Sequence, residues 1–320
     1  MIKAKTAART VSLQNRSRKK KIFYYSMMAW PVLQFLVFWV GVNVNSIFLA
    51  FQEFNYDTGS YIWVGFAPFG EAWRAMTEEG MLLITIKNSL VAYVVGLLFG
   101  IGLGLLFSYY IYKKYPGSGV FKFMLFLPSI ISSVVLIIMF KFFVENAIPY
   151  VVMKMTGERP ETGLISNSDT AFGTVLFYSV WVGFGANLLM YVGAMTGISE
   201  SVVEAAKVDG ITPIREFFQI TLPLIYPTVQ TFVVVGIAGL FTNQLGLYSF
   251  YGTAAPTNTY TFGYYLFRLT AKATQTDYPY LSATGLMMTC IAVPLTLGCR
   301  KLMTVFGPKV ILGGASWKQI

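Results

Sequence analysis

Six long stretches of the chain carry no charged residue, and short polar segments separate them. They run over residues 23–52, 88–112, 123–140, 170–199, from 220 or 221 to about 248, and 281–299. About 20 mostly apolar residues cross the ~30 Å hydrocarbon core of a bilayer as a helix. The pattern therefore predicts an all-α integral membrane protein with six transmembrane helices, at about 23–52, 88–112, 121–140, 170–199, 221–248 and 281–299. Lys141 can snorkel from the end of the third. A basic tail (1–22) and a second tail (304–320) flank the six-span domain (23–303).

Composition agrees. Of 320 residues, 55% are hydrophobic and 12% charged, about half the charged share of a soluble domain, which is roughly 25%. Disorder is excluded by 27 Phe, 20 Tyr and 6 Trp, which could not all stay solvated. The chain has no histidine, so a Ser-His-Asp triad, a Cys-His dyad and an imidazole-ligated metal site are excluded. Cys290 and Cys299 are the two cysteines. Nine residues apart on one helix, they face opposite ways and carry no chemistry.

The few charges set an orientation. Seventeen of the 24 basic residues fall on the side of the two tails, with Lys113, Lys114 and Lys122 after the second span and Lys207 and Arg215 after the fourth. Only 4 of the 14 acids share that side. Basic loops stay in the cytoplasm, so both termini are expected there. Topology also explains the pI near 9.4 without nucleic acid as a partner. The first apolar run is about 30 residues long and passes through Trp30, Pro31, Phe38 and Trp39. A cleavable signal has an apolar region of about 7–15 residues, so this run is read as a retained span.

The span interiors hold no Asp, Glu, Lys or Arg, the groups that ion-coupled pumps use as relays. A secondary transporter that coordinates an ion with backbone oxygens and hydroxyls stays open, as does a channel. No GxxxxGK[ST] loop exists, nor any Gly-Lys pair. If ATP drives transport, it binds another polypeptide.

The loop between the fourth and fifth spans (200–220) breaks the charge rule. It sets Glu200, Glu204, Asp209 and Glu216 against Lys207 and Arg215. Ser201 and Glu204 fit a capping box, Gly210 can end a short helix, and Thr212-Pro213 suits the start of a second. Ile214, Phe217, Phe218 and Thr221 follow i, i+3, i+4, i+7 spacing, one apolar stripe. Two short helices joined at a glycine, with an acidic and apolar face exposed, are predicted. Two readings fit: a partner-docking surface, or an interfacial helix with Glu204 as a cap and the phenylalanines on lipid headgroups.

The spacing Glu204-Ala205-Ala206, three residues, Gly210, nine residues, Ile220, one residue, Leu222-Pro223 resembles the EAA loop of ABC importer permeases. In that family the loop lies two spans before the C-terminus, as here. Asp209, Phe217 or Phe218, and Pro227 extend the likeness, and Ile211 replaces a usual alanine. The resemblance implies the type I importer permease fold and a coupling helix seated in a cleft of a cytoplasmic ATPase. The Ala205-Ala206 face would enter the groove, Glu204 and Asp209 would offer charge, and Gly210 would permit a rigid turn.

It further implies a second homologous permease, two ATPase subunits that hold ATP and Mg, an extracytoplasmic solute-binding protein and a prokaryotic plasma membrane. This chain itself would carry no cofactor and catalyse no reaction. Weaker similarity over 29–303, including SIFLAFQEFN, KNSL at 87–90 and FLPSIISSVV, resembles the carbohydrate branch. The glycine-rich stretch expected after the fifth span reads YGTAAPTNTYTFG here.

Polar residues within the spans are candidates for a solute path, because lipid offers them no partner. They are Tyr178, Ser179, Trp181, Asn187 and Tyr191 in the fourth span, and Thr242, Asn243, Gln244, Tyr248 and Ser249 in the fifth. Amides can bond sugar hydroxyls, and Trp or Tyr can stack on a sugar ring. Trp181 and Asn187 share a face only if the helix breaks at Gly183 or Gly185, which otherwise mark tight packing. Aromatic-belt residues and helix-bridging amides are the plain alternative.

Overall fold

A computed structural model of the chain describes residues 20–78, 80–158 and 160–308. Lys3, Lys5, Arg9, Arg16, Arg18, Lys19, Lys309 and Lys318 of the predicted tails lie outside the described residues. By its internal contacts the chain divides into two units.

In the first unit, which comprises residues up to Ala72 with Thr274–Leu286, helix α1 (Lys20–Leu49) is apolar and long enough to span. Its side chains are exposed over almost all of its length. An antiparallel hairpin follows, β1 (Gln52–Asn55) with β2 (Ser60–Trp63), in the register Gln52↔Trp63 and Asn55↔Ser60. Its turn is closed by Asn55, whose side-chain oxygen accepts from Asp57 N at 2.8 Å and whose carbonyl accepts from Gly59 N at 2.9 Å. Gly59 has φ +62°, a conformation that costs glycine little. Phe51 stacks on Trp63 at 5.4 Å and meets Phe66 edge-on at 5.3 Å. Tyr61 Oη donates to the Gln275 carbonyl at 3.0 Å. The hairpin is a departure from the all-helical reading; four-residue strands are too short for their alternation to register in the sequence.

Helix α2 (Ala67–Glu78) leads to the second unit, residues 73–273 with 287 onward. There α3 (Met81–Tyr112), α4 (Ser118–Ile130), α5 (Ser133–Thr156) and α6 (Ser168–Thr196) follow in order. Then come α7 (Glu200–Val208), α8 (Pro213–Leu224), α9 (Tyr226–Ala238), α10 (Leu247–Tyr251) and α11 (Phe262–Ala271). Helix α12 (Tyr278–Phe306) closes the described chain. Among the described residues, five single helices, α1, α3, α5, α6 and α12, are long and apolar enough to cross a membrane; α8 and α9, bent by 68° at their junction, make a sixth when taken as one span.

Two expected spans differ from the helices observed. The stretch 121–140 is not one helix: Ile131 and Ser132 are extended (ψ 142° and 127°) and separate α4 from α5. Pro128, in the last turn of α4, has no N–H for the helical ladder. The longer apolar helix runs on to Thr156 and takes in Lys141 and Glu145. Each has a partner: Lys141 Nζ donates to the Phe250 carbonyl at 3.1 Å, and Glu145 accepts from Ile165 N, Ser166 N and Ser166 Oγ at 2.8 Å each. The stretch 221–248 is likewise interrupted. Helix α9 stops at Ala238, and 239–246 is a chain of turns with left-handed Leu245 (φ 53°) and Gly246 (φ 75°).

Packing is close where glycines meet neighbours. A Cβ on Gly185 would lie 2.4 Å from the Leu125 carbonyl oxygen, and one on Gly263 would lie 2.5 Å from that of Thr242. Helix α6 therefore runs unbroken past Gly183 and Gly185, and Gly185 serves the approach of α4. Buried polar side chains tie the elements together. Ser108 Oγ donates to the Leu188 carbonyl at 3.2 Å, Phe262 N to Ser89 Oγ at 3.0 Å, and Gln230 Nε2 to Thr304 Oγ1 at 2.8 Å. Tyr251 Oη donates to the Ile165 carbonyl at 2.7 Å. Burial, and then the Glu145 carboxylate, push that hydroxyl up to about 12.

Candidate coupling surface and polar path

The loop 200–220 folds as two short helices joined at a glycine. Ser199, and not Ser201, holds the N-cap position of α7, with no side-chain bond to the helix backbone; Ser201 sits inside the helix, and the two hydroxyls share a bond at 2.8 Å. The expected capping box is therefore not formed, and Glu204 is a mid-helix residue on the exposed face. At the other end, Asp209 is the C-cap and Gly210 is left-handed, with φ +70°. Gly210 N donates to the Lys207 carbonyl and Ile211 N to that of Ala206, each at 3.1 Å, the paired bonds of a Schellman motif. Thr212 and Pro213 start α8 as expected.

Helix α7 turns Val202, Val203 and Ala206 inward, with Ala206 4% exposed, and leaves Glu204, Ala205, Lys207, Val208 and Asp209 outward. The two alanines thus differ in burial and do not form one exposed Ala-Ala face: Ala206 seats the helix, and Ala205 lies on its open side. In α8 the apolar stripe is divided. Phe217 and Thr221 are buried, while Ile214 (73%) and Phe218 (57%) stay exposed. The helix widens to π geometry over Phe217–Thr221, which breaks the 3.6-residue period on which the stripe was counted. Ile220, Leu222 and Pro223 are half-buried at the approach to α9. With Val208 at 87% exposure, the outer surface carries three apolar side chains among Glu204, Lys207 and Asp209.

This surface stands on a rigid base. Lys113, just past the end of α3, meets Glu216 at 2.6 and 2.7 Å, the one salt bridge found among the described residues. The side chains are 14% and 5% exposed, so Glu216 is not part of the open acidic face that the sequence suggested. Lys113 Nζ also lies over the rings of Tyr109 and Tyr112, at 5.7 and 5.9 Å. Tyr109 Oη donates to the Pro213 carbonyl at 2.9 Å, and its ring meets Phe217 edge-on at 5.0 Å. Removing one partner of a buried ion pair costs about 3–5 kcal/mol, because the other charge is left unpaired. Lys113 was legible as a basic loop residue, but nothing in the sequence links it to Glu216, 103 positions on.

The polar span residues separate into two groups. Tyr191 is fully buried against Phe232, ring centroids 4.9 Å apart, and Gly104. The hydroxyls of Tyr178 and Tyr191 are buried without a hydrogen-bond partner among the described residues. Asn243 is exposed but shapes a turn: its side-chain oxygen accepts from Leu245 N at 2.9 Å, and its carbonyl accepts from Thr261 Oγ1 at 2.8 Å. Asn243 and Gln244 lie in the turns after α9 rather than inside a helix. Trp181 and Tyr248 are exposed, and Asn187 and Gln244 are half-buried. Cys290 and Cys299 are both free.

Several apolar helices long enough to cross a membrane, with a two-helix loop seated on the end of α3, are the features of a multi-pass membrane protein. Residues 92–312 match the family of binding-protein-dependent transport system inner membrane components, and the chain belongs to that family. It is 26% identical to the probable ABC transporter permease protein YesP of Bacillus subtilis (strain 168), over 88% of this chain and 90% of that one. It is 20% identical to the multiple sugar-binding transport system permease protein MsmF of Streptococcus mutans, over 84% and 90%. Among solved structures it resembles a bacterial ABC transporter involved in import of the acidic polysaccharide alginate. That match has a TM-score of 0.73 at 20% identity and covers 91% of this chain and 98% of that one. The likeness shows the fold expected of a type I importer permease.

Proposed function

We propose that the chain is the membrane-spanning subunit of an ATP-driven carbohydrate importer and that α7–α8 is its contact with a cytoplasmic ATPase. The observation that carries this reading is the exposed edge Glu204, Ala205, Val208, Asp209 and Gly210, with Ile214 and Phe218 beside it, on a base fixed by a buried ion pair. Exposed apolar side chains rimmed by charge mark an interaction surface. Charge placement supports cytoplasmic termini, which puts this loop on the ATPase side.

The remaining subunits follow from the same reading: a second, homologous permease, two ATPases holding ATP and Mg, and an extracytoplasmic solute-binding protein. The sugar named for the Streptococcus relative supports a carbohydrate solute. Trp181, Asn187, Asn243, Gln244 and Tyr248 are the polar candidates open enough to meet it, Asn243 also shaping a turn, whereas Tyr191 is buried in the packing. Purification of the tagged chain from native membranes tests the assembly. The expected result is a stable complex that hydrolyses ATP and takes up a sugar when its binding protein is added. Uptake by the chain alone, with no ATPase bound, would identify a secondary transporter or channel instead.

A further inference from the structure

We propose that Lys113 and Glu216 form a positioning clasp that makes the inner end of α3 move with α7–α8, so that the loop drives two spans rather than one. The inference rests on the reading of α7–α8 as the ATPase contact. A push on that surface reaches α9 through the chain itself, but the covalent route passes the 68° bend between α8 and α9. The clasp supplies a second attachment, from α8 to the end of α3.

Its contacts join residues 109–113 at the end of α3 to 213–217 at the start of α8. They are the ion pair, the Tyr109–Pro213 hydrogen bond and the Tyr109–Phe217 ring contact. From α3 the connection continues into α6. Gly104 lies against Tyr191, Ser108 Oγ bonds the Leu188 carbonyl, and Leu105, Tyr109, Tyr191, Met195 and Phe217 belong to one buried cluster. Helix α6 also carries Trp181 and Asn187. A low-dielectric ion pair suits this task because separating it leaves two unpaired buried charges.

The test compares Lys113→Met, Glu216→Gln, Glu216→Asp and the reciprocal swap Lys113→Glu with Glu216→Lys. Each is studied in the complex purified through the tagged full chain and reconstituted in lipid vesicles. Solute moved per ATP hydrolysed is one readout. The width of the spin-label distance distribution between position 114 and the exposed position 219 of α8, which is not among the proposed contact residues, is the other, with Cys290 and Cys299 replaced by Ser. Coupling between sites typically amounts to 5–150-fold, so Lys113→Met and Glu216→Gln are expected to lower the transport-to-hydrolysis ratio about tenfold. They should also broaden the distance distribution while the ATPase stays bound, and Glu216→Asp and the swap should restore both readouts. Unchanged ratio and width in Lys113→Met and Glu216→Gln, or a swap no better than either, would overturn the clasp. Failure of the unmodified chain to bind any ATPase would instead remove the underlying reading, and the spin-label widths would still decide whether the clasp holds the two helices together.

Discussion

The side-chain amide of Asn88 donates to the backbone carbonyls of Asn258 and Tyr260, at 2.7 and 2.9 Å, 170 and 172 residues further along the chain. Its neighbour Ser89 accepts from Phe262 N. Two consecutive polar residues in the first half of α3 thus hold the segment between α10 and α11, and both are buried. The hydroxyl of Tyr264, which donates to the Gly252 carbonyl at 2.8 Å, fixes the same segment from its other end.

Replacing Asn88 by Leu leaves the buried Tyr260 carbonyl, and the part-buried Asn258 carbonyl, without this donor. Each unsatisfied buried group costs about 1–3 kcal/mol, so Asn88→Leu is expected to lower the thermal midpoint of the detergent-solubilised protein by several degrees. Asn88→Asp, which offers no amide donors, is expected to do at least as much harm. A thermal unfolding series checks both, and an unchanged midpoint for Asn88→Leu would mean that the contact is not made.

Gly185 has no room for a side chain. A Cβ would sit 2.4 Å from the Leu125 carbonyl oxygen, so even Gly185→Ala must push α6 from α4. Overpacking of this kind costs about 1–3 kcal/mol, and the expected result is lower yield and stability in detergent. Gly183→Ala, where nothing lies within 4 Å of the added carbon, should be neutral in the same assay.

Trp181 and Tyr248 are predicted to affect solute passage and not assembly. Trp181→Ala and Tyr248→Ala should reduce uptake while the amount of ATPase recovered with the chain stays the same. Parallel uptake and pull-down measurements separate the effects. Wild-type uptake in both variants would return these residues to the aromatic belt.

The long apolar runs made the helices legible, because lipid leaves a span little freedom in composition. Gly210, Thr212 and Pro213 were legible because left-handed turns and first helical turns have strong local preferences. The break at Ile131–Ser132 was hidden within an unbroken apolar run, where hydropathy is blind to backbone conformation. The inward seat of Ala206 beside the outward Ala205 depends on which side of α7 meets the protein, and that is set by tertiary packing. The pairing of Lys113 with Glu216, like that of Asn88 with Tyr260, joins residues more than a hundred positions apart, and no local pattern carries it. Asn243, an amide expected inside a span, found its partner in its own backbone two residues on, as Asn commonly does in turns.

Glu204→Lys and Gly210→Asp bear most directly on the central claim. Both lie on the exposed edge, and Gly210 adopts a φ of +70° that a side chain strains. The decisive measurement is the amount of ATPase bound to the tagged chain, together with solute uptake, for each variant and the unmodified protein at equal levels of membrane insertion. The account predicts intact insertion, weakened ATPase binding or hydrolysis uncoupled from uptake, and uptake reduced at least about tenfold, as coupling energies of 1–3 kcal/mol imply. Normal ATPase binding with normal uptake in both variants would contradict it.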